Sequence, residues 1–143
     1  MMAPKETFEA VDSHEDPAAT FWNACERDEL LIQYCRTCEQ WQFYPRFLCS
    51  HCASLDVVWR QASGAATLET FSVVRRAAGE FEALTPYTVA LVRLAEGPTM
   101  MSNVVDCAET DLAIGMALKV RFENRNHTRI PVFEPALNDP RQQ

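Results

Sequence analysis

Apolar residues are spaced in two different ways along this chain, and the change comes near residue 63. Before it, a stripe at helical spacing joins Ala18, Phe21, Trp22 and Cys25. After it come short β-type runs that are separated by turn signals. The pattern predicts a helix with short extended pieces in the first part and a sheet in the second.

The predicted helix has a start signal of its own. Asp16 can accept hydrogen bonds from the first free N–H groups, and Pro17 suits the first helical position. We expect the helix to run to about Glu29. Residues 1–15, which precede it, are polar and acidic and lack periodicity, so they are predicted to be flexible.

Two extended runs, LLIQYC and WQFYPRF, each lead toward a pair of cysteines. The pairs have the spacing C-x2-C and comprise Cys35, Cys38, Cys49 and Cys52. A two-residue gap lets both thiolates of a tight turn face one point, and two such turns supply a closed tetrahedron. The spacing predicts a structural zinc site in a ribbon of the rubredoxin type. A closed site leaves no coordination position for activating water.

Three alternatives to this zinc site stay open. Iron fits the same all-sulfur set and would indicate electron transfer, although the sequence has no flavin or nicotinamide signature to act with it. His51, inside the second pair, could replace a cysteine as ligand. The site could also be empty, because glycine is preferred just after such turns, where φ is positive, and here Glu39 and Ala53 hold those positions.

The second part of the chain predicts five strands. YTVALVRLAEGPTMMSNVV is a hairpin around a Glu-Gly-Pro turn, and DCAETDLAIG after it can carry a short helical turn. Five strands with an insertion after the third fit an OB-fold barrel. The predicted fold is therefore mainly β, with a helix and zinc ribbon over residues 16–62, a five-stranded OB-fold over residues 63–136 and a flexible tail over residues 137–143.

The charge balance bears on the class of partner. Lys and Arg number 13 and Asp and Glu number 20, which gives a net charge of −7. Binding to a nucleic-acid backbone usually needs the opposite sign, so nucleic acid is not the expected partner. A free-standing nucleic-acid binder remains the alternative hypothesis, since ribbons and OB barrels can both serve that role. No secretory segment or membrane-length apolar run is visible, which predicts a cytoplasmic location without membrane contact.

The sequence offers few other candidates for chemistry. No histidine lies in a nucleophile or metal-helix motif, and no glycine-rich phosphate loop is present. Arg75 and Arg76 could hold the phosphate of a cofactor, against the interpretation that they are solvated charges at a strand end. Cys25 is expected to be buried, and the acidic neighbours of Cys107 argue against a nucleophilic thiol there. The chain does not look like a self-sufficient enzyme.

Phe21 and Trp22 admit two interpretations. Exposed aromatic side chains often dominate the binding energy of protein interfaces, so the pair could contact a partner. The alternative is that both rings pack the helix onto the ribbon.

The order of these segments resembles one known family. The helix with FW is followed by a ribbon with YPR before its second cysteine pair, and then by SGAATLETFSVV, YTVALVRLAEGP, IGMALKVRFE and VFEP. Over residues 17–136 this is similar to the acyl-CoA-associated OB-fold family with a rubredoxin-like zinc ribbon, long catalogued as a domain of unknown function.

The resemblance implies an accessory subunit. Members of the family pair with thiolase-fold enzymes, including lipid-transfer-protein-like thiolases and aldolases that act on acyl-CoA in steroid side-chain breakdown. In these complexes the ribbon and barrel hold subunits together and help to accommodate the acyl-CoA, and the catalytic residues belong to the partner. We therefore expect a hetero-oligomer with a thiolase-fold subunit, an acyl-CoA ligand and no catalytic residue in this chain.

Overall fold

The computed structural model describes residues 9–10 and 16–136. The flexibility predicted for residues 1–15 and 137–143 falls almost entirely outside these ranges. Within them the chain is mainly β, as the sequence predicts, and it has one α-helix and nine strands. None of the helices in these ranges has both the length and the apolar character needed to cross a bilayer.

Helix α1 spans Pro17–Cys25 and begins as predicted. Asp16 Oδ1 accepts a hydrogen bond from the Ala18 N–H at 3.0 Å. The predicted end near Glu29 is wrong, because the chain closes the helix with a Schellman motif. Asp28 adopts a φ of 59°, and the Glu29 N–H donates to the Ala24 carbonyl at 3.0 Å. An aspartate thus takes the left-handed position that glycine usually occupies.

The ribbon forms a four-stranded antiparallel sheet. Its strands are β1 (Glu9–Ala10), β2 (Leu31–Cys35), β3 (Trp41–Gln42) and β4 (Val57–Gln61), and they lie in the order β1-β4-β2-β3. Strand β4 pairs with β2 along its whole length. The prediction that WQFYPRF is extended throughout is wrong, because the ladder stops at Gln42. Beyond Gln42, the backbone N–H and carbonyl of Arg46 form hydrogen bonds with the side chain of Gln33 and not with a neighbouring strand.

The five predicted strands of the second part form a closed barrel. Around the barrel the strands follow one another as first, second, third, fifth and fourth in chain order, and of the neighbouring pairs only the third and fifth run parallel. This is the strand order of an OB-fold. A short 3-10 helix, Glu109–Asp111, lies in the predicted insertion after β7, and another spans Gly79–Leu84. The barrel strands are β5 (Ala65–Val74), β6 (Tyr87–Leu94), β7 (Thr99–Val104), β8 (Ala117–Arg125) and β9 (Thr128–Pro135).

One hydrophobic core runs from the barrel into the ribbon. Leu68 and Phe133 of the barrel belong to the same buried cluster as Phe21 of α1 and Trp59 of β4. Full burial of a side chain of this size stabilises a fold by about 1.5–3 kcal/mol. Helix α1 therefore lies where it can join the two lobes, and it leaves part of its surface beside the barrel open.

Candidate metal centre and docking groove

The four cysteines of the two C-x2-C pairs meet at one point. Their Sγ atoms all lie within 4.8 Å of one another. Two of these separations cross between the pairs, at 3.6 Å for Cys35–Cys52 and 3.6 Å for Cys38–Cys49. The set groups all four predicted ligands and does not include His51, which is exposed on the second turn. Four sulfurs at this spacing can enclose one tetrahedral ion.

The two turns that carry these cysteines have the same backbone geometry. In the first, the Glu39 N–H donates to the Cys35 carbonyl at 2.8 Å, and in the second the Ala53 N–H donates to the Cys49 carbonyl at 2.9 Å. Glu39 and Ala53 have φ values of 59° and 62°. Both positions are therefore left-handed, as the preference for glycine predicts, and the turns form with other residues at a conformational cost.

Backbone N–H groups point at the sulfurs. The Cys38 N–H lies 3.5 Å from Cys35 Sγ, and the N–H groups of His51 and Cys52 lie 3.3 Å and 3.4 Å from Cys49 Sγ. Burial alone would raise the pKa of Cys35, but hydrogen bonds from the N–H groups of Cys38 and Thr37 lower that pKa to about 6. Such donors favour a thiolate, which is the form that binds a metal.

The first pair cannot easily hold two thiolates by itself. Burial and the neighbouring thiols raise the pKa of Cys38 to about 12. Like charges at this spacing oppose one another, so a bound cation is needed to ionise the whole set. The residues present therefore fit a soft divalent ion.

Side-chain contacts hold the two turns together. Thr37 Oγ1 and Ser54 Oγ are 2.7 Å apart, and Arg36 Nη2 donates to Asp56 Oδ1 at 2.7 Å. Both contacts lie at the surface, so solvent weakens their contribution to stability.

Two buried glutamines next to the metal centre were not predicted. Gln33 is 0 % exposed and Gln42 is 4 % exposed, and Gln42 Nε2 donates to Gln33 Oε1 at 2.7 Å. The alternation of β2 gives the available signal, since Gln33 shares a face with Leu31 and Cys35. A buried amide must find hydrogen-bond partners, and here the partners lie in the loop after β3.

An apolar groove of about 540 Å³ lies between α1, the loop after β3, and strands β7 and β9. Among the described residues, those that line the groove carry no charged side chain. Trp22, Tyr44 and Met101 expose 44 %, 55 % and 59 % of their surface there. A groove of this size and composition is typical of a binding site for a protein segment or an apolar ligand. It is called the docking groove below.

Phe21 and Trp22, the two candidate partner contacts, have different environments. Phe21 is 3 % exposed, and its ring centre lies 5.3 Å from that of Phe43. Trp22 packs against Phe21 at 5.1 Å and keeps its outer face exposed. Phe21 thus belongs to the core beneath the docking groove, and Trp22 contributes to its wall.

The remaining candidates belong to neither site. Arg75 and Arg76 are exposed beyond the end of β5, and Arg75 forms an ion pair with Glu109. Cys25 is fully buried, as predicted, and burial, followed by the charges of Glu26 and Asp28, raises its pKa to about 11. Burial and the charge of Asp111 raise the pKa of Cys107. Neither thiol has the depressed pKa that a nucleophile needs.

Family models match both lobes. The rubredoxin-like zinc ribbon domain of ChsH2 matches residues 22–58, and the C-terminal OB-fold domain of ChsH2 matches residues 59–123. A DUF35 domain-containing scaffold protein of Methanocaldococcus jannaschii is 33% identical over 98 residues, which cover 68% of this chain and 70% of that protein. The chain belongs to the DUF35 family. The resemblance stated from the sequence is thereby confirmed.

Two further proteins are similar to this DUF35 chain. A probable enoyl-CoA hydratase alpha subunit of Thermomonospora curvata is 33% identical over 120 residues, which are 82% of this chain but 37% of that protein. The chain thus spans little more than a third of that relative. A solved structure described as an Ltp2-ChsH2(DUF35) aldolase has a chain that matches with a TM-score of 0.77 and 29% identity, covering 89% of this chain and 100% of that one.

Proposed function

We propose that this DUF35 chain is an accessory subunit of a thiolase-fold enzyme, such as a thiolase, an acyltransferase or a steroid side-chain retro-aldolase. The observation that carries the proposal is the docking groove, where the described lining residues are uncharged and three large side chains are exposed, in a protein with a net charge of −7. The match over the full length of the DUF35 chain of an aldolase supports the proposal, as do the scaffold proteins of the same family.

The metal centre of this subunit has a structural role. Zinc is the ion we assign to it, because four cysteines in matched turns give the closed tetrahedral set that zinc accepts without strain. Cys35, Cys38, Cys49 and Cys52 would hold the ion, which would supply stability to a lobe too small to rely on its own core. Catalytic residues then belong to the partner.

The acyl-CoA substrate is bound jointly in this proposal. The partner holds the reacting end, and the DUF35 chain contributes apolar surface at the junction of ribbon and barrel. The docking groove has suitable chemistry because its serine and asparagine side chains are already engaged. Ser102 Oγ donates to the Pro131 carbonyl at 3.0 Å and Asn103 Nδ2 donates to the Thr88 carbonyl at 2.9 Å, so the groove favours apolar contacts.

Co-expression with a thiolase-fold enzyme from the same genome tests the proposal. We expect the two chains to co-elute in a stable complex, and we expect cleavage or transfer of an acyl-CoA to be faster with the DUF35 chain than without it. The proposal fails if the chain elutes alone and adds nothing to the activity of the enzyme. Salt-dependent binding of single-stranded nucleic acid by the isolated chain would instead favour the alternative hypothesis.

A further inference from the structure

The loop from Phe43 to Leu48 forms one wall of the docking groove and extends beyond it. It presents three exposed large side chains, since Tyr44, Phe47 and Leu48 are 55 %, 48 % and 41 % exposed. Residues 43–48 belong to no helix or strand. Something other than a strand ladder must therefore define the shape of this loop.

The two buried glutamines supply that definition. Gln33 acts as a backbone mimic toward Arg46: its Oε1 accepts the Arg46 N–H at 2.8 Å, and its Nε2 donates to the Arg46 carbonyl at 2.7 Å. Gln42 Nε2 donates to the Leu48 carbonyl at 3.2 Å. Because the two amides also bond to each other at 2.7 Å, they form one network in a low-dielectric interior.

The same network ends at the metal centre. Gln42 Oε1 accepts the N–H of Ser50 at 2.8 Å, and Ser50 directly follows the ligand Cys49. Gln33 lies on β2 two residues before the ligand Cys35. Gln33 thus lies beside the first cysteine turn and Gln42 beside the second. The side-chain amides of both residues form hydrogen bonds to the loop.

We propose that Gln33 and Gln42 are positioning residues that transmit the order of the cysteine turns to the loop from Phe43 to Leu48. A bound ion fixes the second turn, the turn fixes Gln42 through Ser50, and the paired amides fix Arg46 and Leu48. Metal loading then determines the shape of the far half of this loop, from Arg46 to Leu48, which continues from the wall of the docking groove. The consequence for partner binding rests on the proposed function, but the positioning role does not.

Aromatic packing alone does not account for the loop. Phe43 contacts Phe21 at 5.3 Å and Tyr44 at 4.6 Å between ring centres, which holds the first two residues of the loop. Phe47 and Leu48 project into solvent, so the far half depends on the bonds to Arg46 and Leu48. Loss of the two amides should therefore increase the mobility of the far half of the loop.

Amide hydrogen exchange, resolved by residue with NMR on the metal-loaded chain, tests the positioning role. Gln33→Met should speed exchange of the Arg46 N–H at least tenfold, and Gln42→Met should do the same for the Ser50 N–H, because methionine keeps the length of the side chain without its amide. Removing the ion from the wild-type chain with a chelator should speed both. Barrel amides such as that of Val92 should keep their rates in both variants.

Gln61→Met is the matched control. It makes the same substitution at the end of β4, outside the bonds that join Gln33 and Gln42 to the loop, and it should leave both exchange rates unchanged. Unchanged rates in both Gln33→Met and Gln42→Met would overturn the proposal. If the variants do not fold, the wild-type chain decides, since protection of Arg46 and Ser50 that survives chelation also overturns it. A loosened loop with undiminished capture of the thiolase-fold enzyme would keep the positioning role and remove this loop from the partner interface.

Discussion

Gly64 and Val120 are in contact at the point where the ribbon enters the barrel. The Gly64 carbonyl accepts a hydrogen bond from the Val120 N–H at 2.8 Å. Gly64 has a φ of +88°, and a Cβ built on it would lie 2.7 Å from Val120 Cγ1. The first strand of the barrel can therefore approach β8 this closely only with glycine at position 64.

Gly64→Ala should lower the free energy of unfolding by about 3 kcal/mol, since it adds the cost of a left-handed alanine to that of overpacking. Gly79→Ala is the control, because Gly79 also has positive φ but no atom within 4 Å of its added Cβ. It should cost only about 1 kcal/mol. Urea denaturation measures both. If Gly64→Ala costs no more than Gly79→Ala, the contact with Val120 is not a constraint.

Most of the fold follows from local sequence, and each exception has its own physical cause. The barrel strands were predictable because each run carries its own pattern and turn signal. The end of α1 was not predictable, because Asp28 takes a left-handed conformation that no neighbouring residue in the sequence indicates. The loop after Gln42 was not predictable either. Its residue Arg46 is bound by the side chain of Gln33, which is 13 residues away in the sequence.

The candidate site divides in the same way. Regular spacing was enough to group the four cysteines, since the ligands of each pair are close in sequence. The docking groove combines α1, a loop and two barrel strands, and no linear pattern records that combination. The sequence also did not show which of the two adjacent aromatic residues lies in the core. In the structure Phe21 is buried there and Trp22 is exposed.

Cys49→Ser should abolish stoichiometric metal binding. The variant loses a buried ligand and the acceptor of two N–H groups, so the ribbon should lose protection from proteolysis. Cys107→Ser is the matched control and should keep its ion, because Cys107 lies outside the four-sulfur set. Elemental analysis of the purified proteins measures the outcome. Zinc with a colourless protein supports the assignment, whereas a coloured protein that contains iron would contradict it.

The thiols should react with an alkylating agent in three classes. Cys107, which is half-buried, should react first in the metal-loaded chain. The four ligand thiols should react only after chelation, and Cys25 only after denaturation, since it is fully buried. Mass spectrometry of the alkylated peptides measures the order. Labelling of Cys25 in the native chain at the rate of Cys107 would contradict the structure.

The same Cys25 gives an alkaline dependence of stability. Folding raises its pKa from an ordinary value of 9.0 to about 11, so the folded chain holds the proton more tightly than the unfolded chain. Its contribution is intact below pH 9 and is lost as the pH rises toward 11. Cys25→Ala should therefore flatten the decline of the unfolding free energy over this range, as measured by urea titrations at each pH. An unchanged slope would contradict this linkage.

Trp22→Ala and Tyr44→Ala should each weaken binding of the thiolase-fold enzyme at least tenfold. Both side chains present large, rigid apolar surface to the docking groove, and residues of this kind at the centre of an interface cost about 2 kcal/mol or more when truncated. Each variant should keep the metal and a melting temperature close to that of the wild-type chain, because both side chains are exposed. Ile114→Ala is the matched control, since Ile114 is 62 % exposed and does not line the groove. Titration of the enzyme with each variant measures the affinity, and equal weakening by Ile114→Ala would show that the partner binds elsewhere on the barrel.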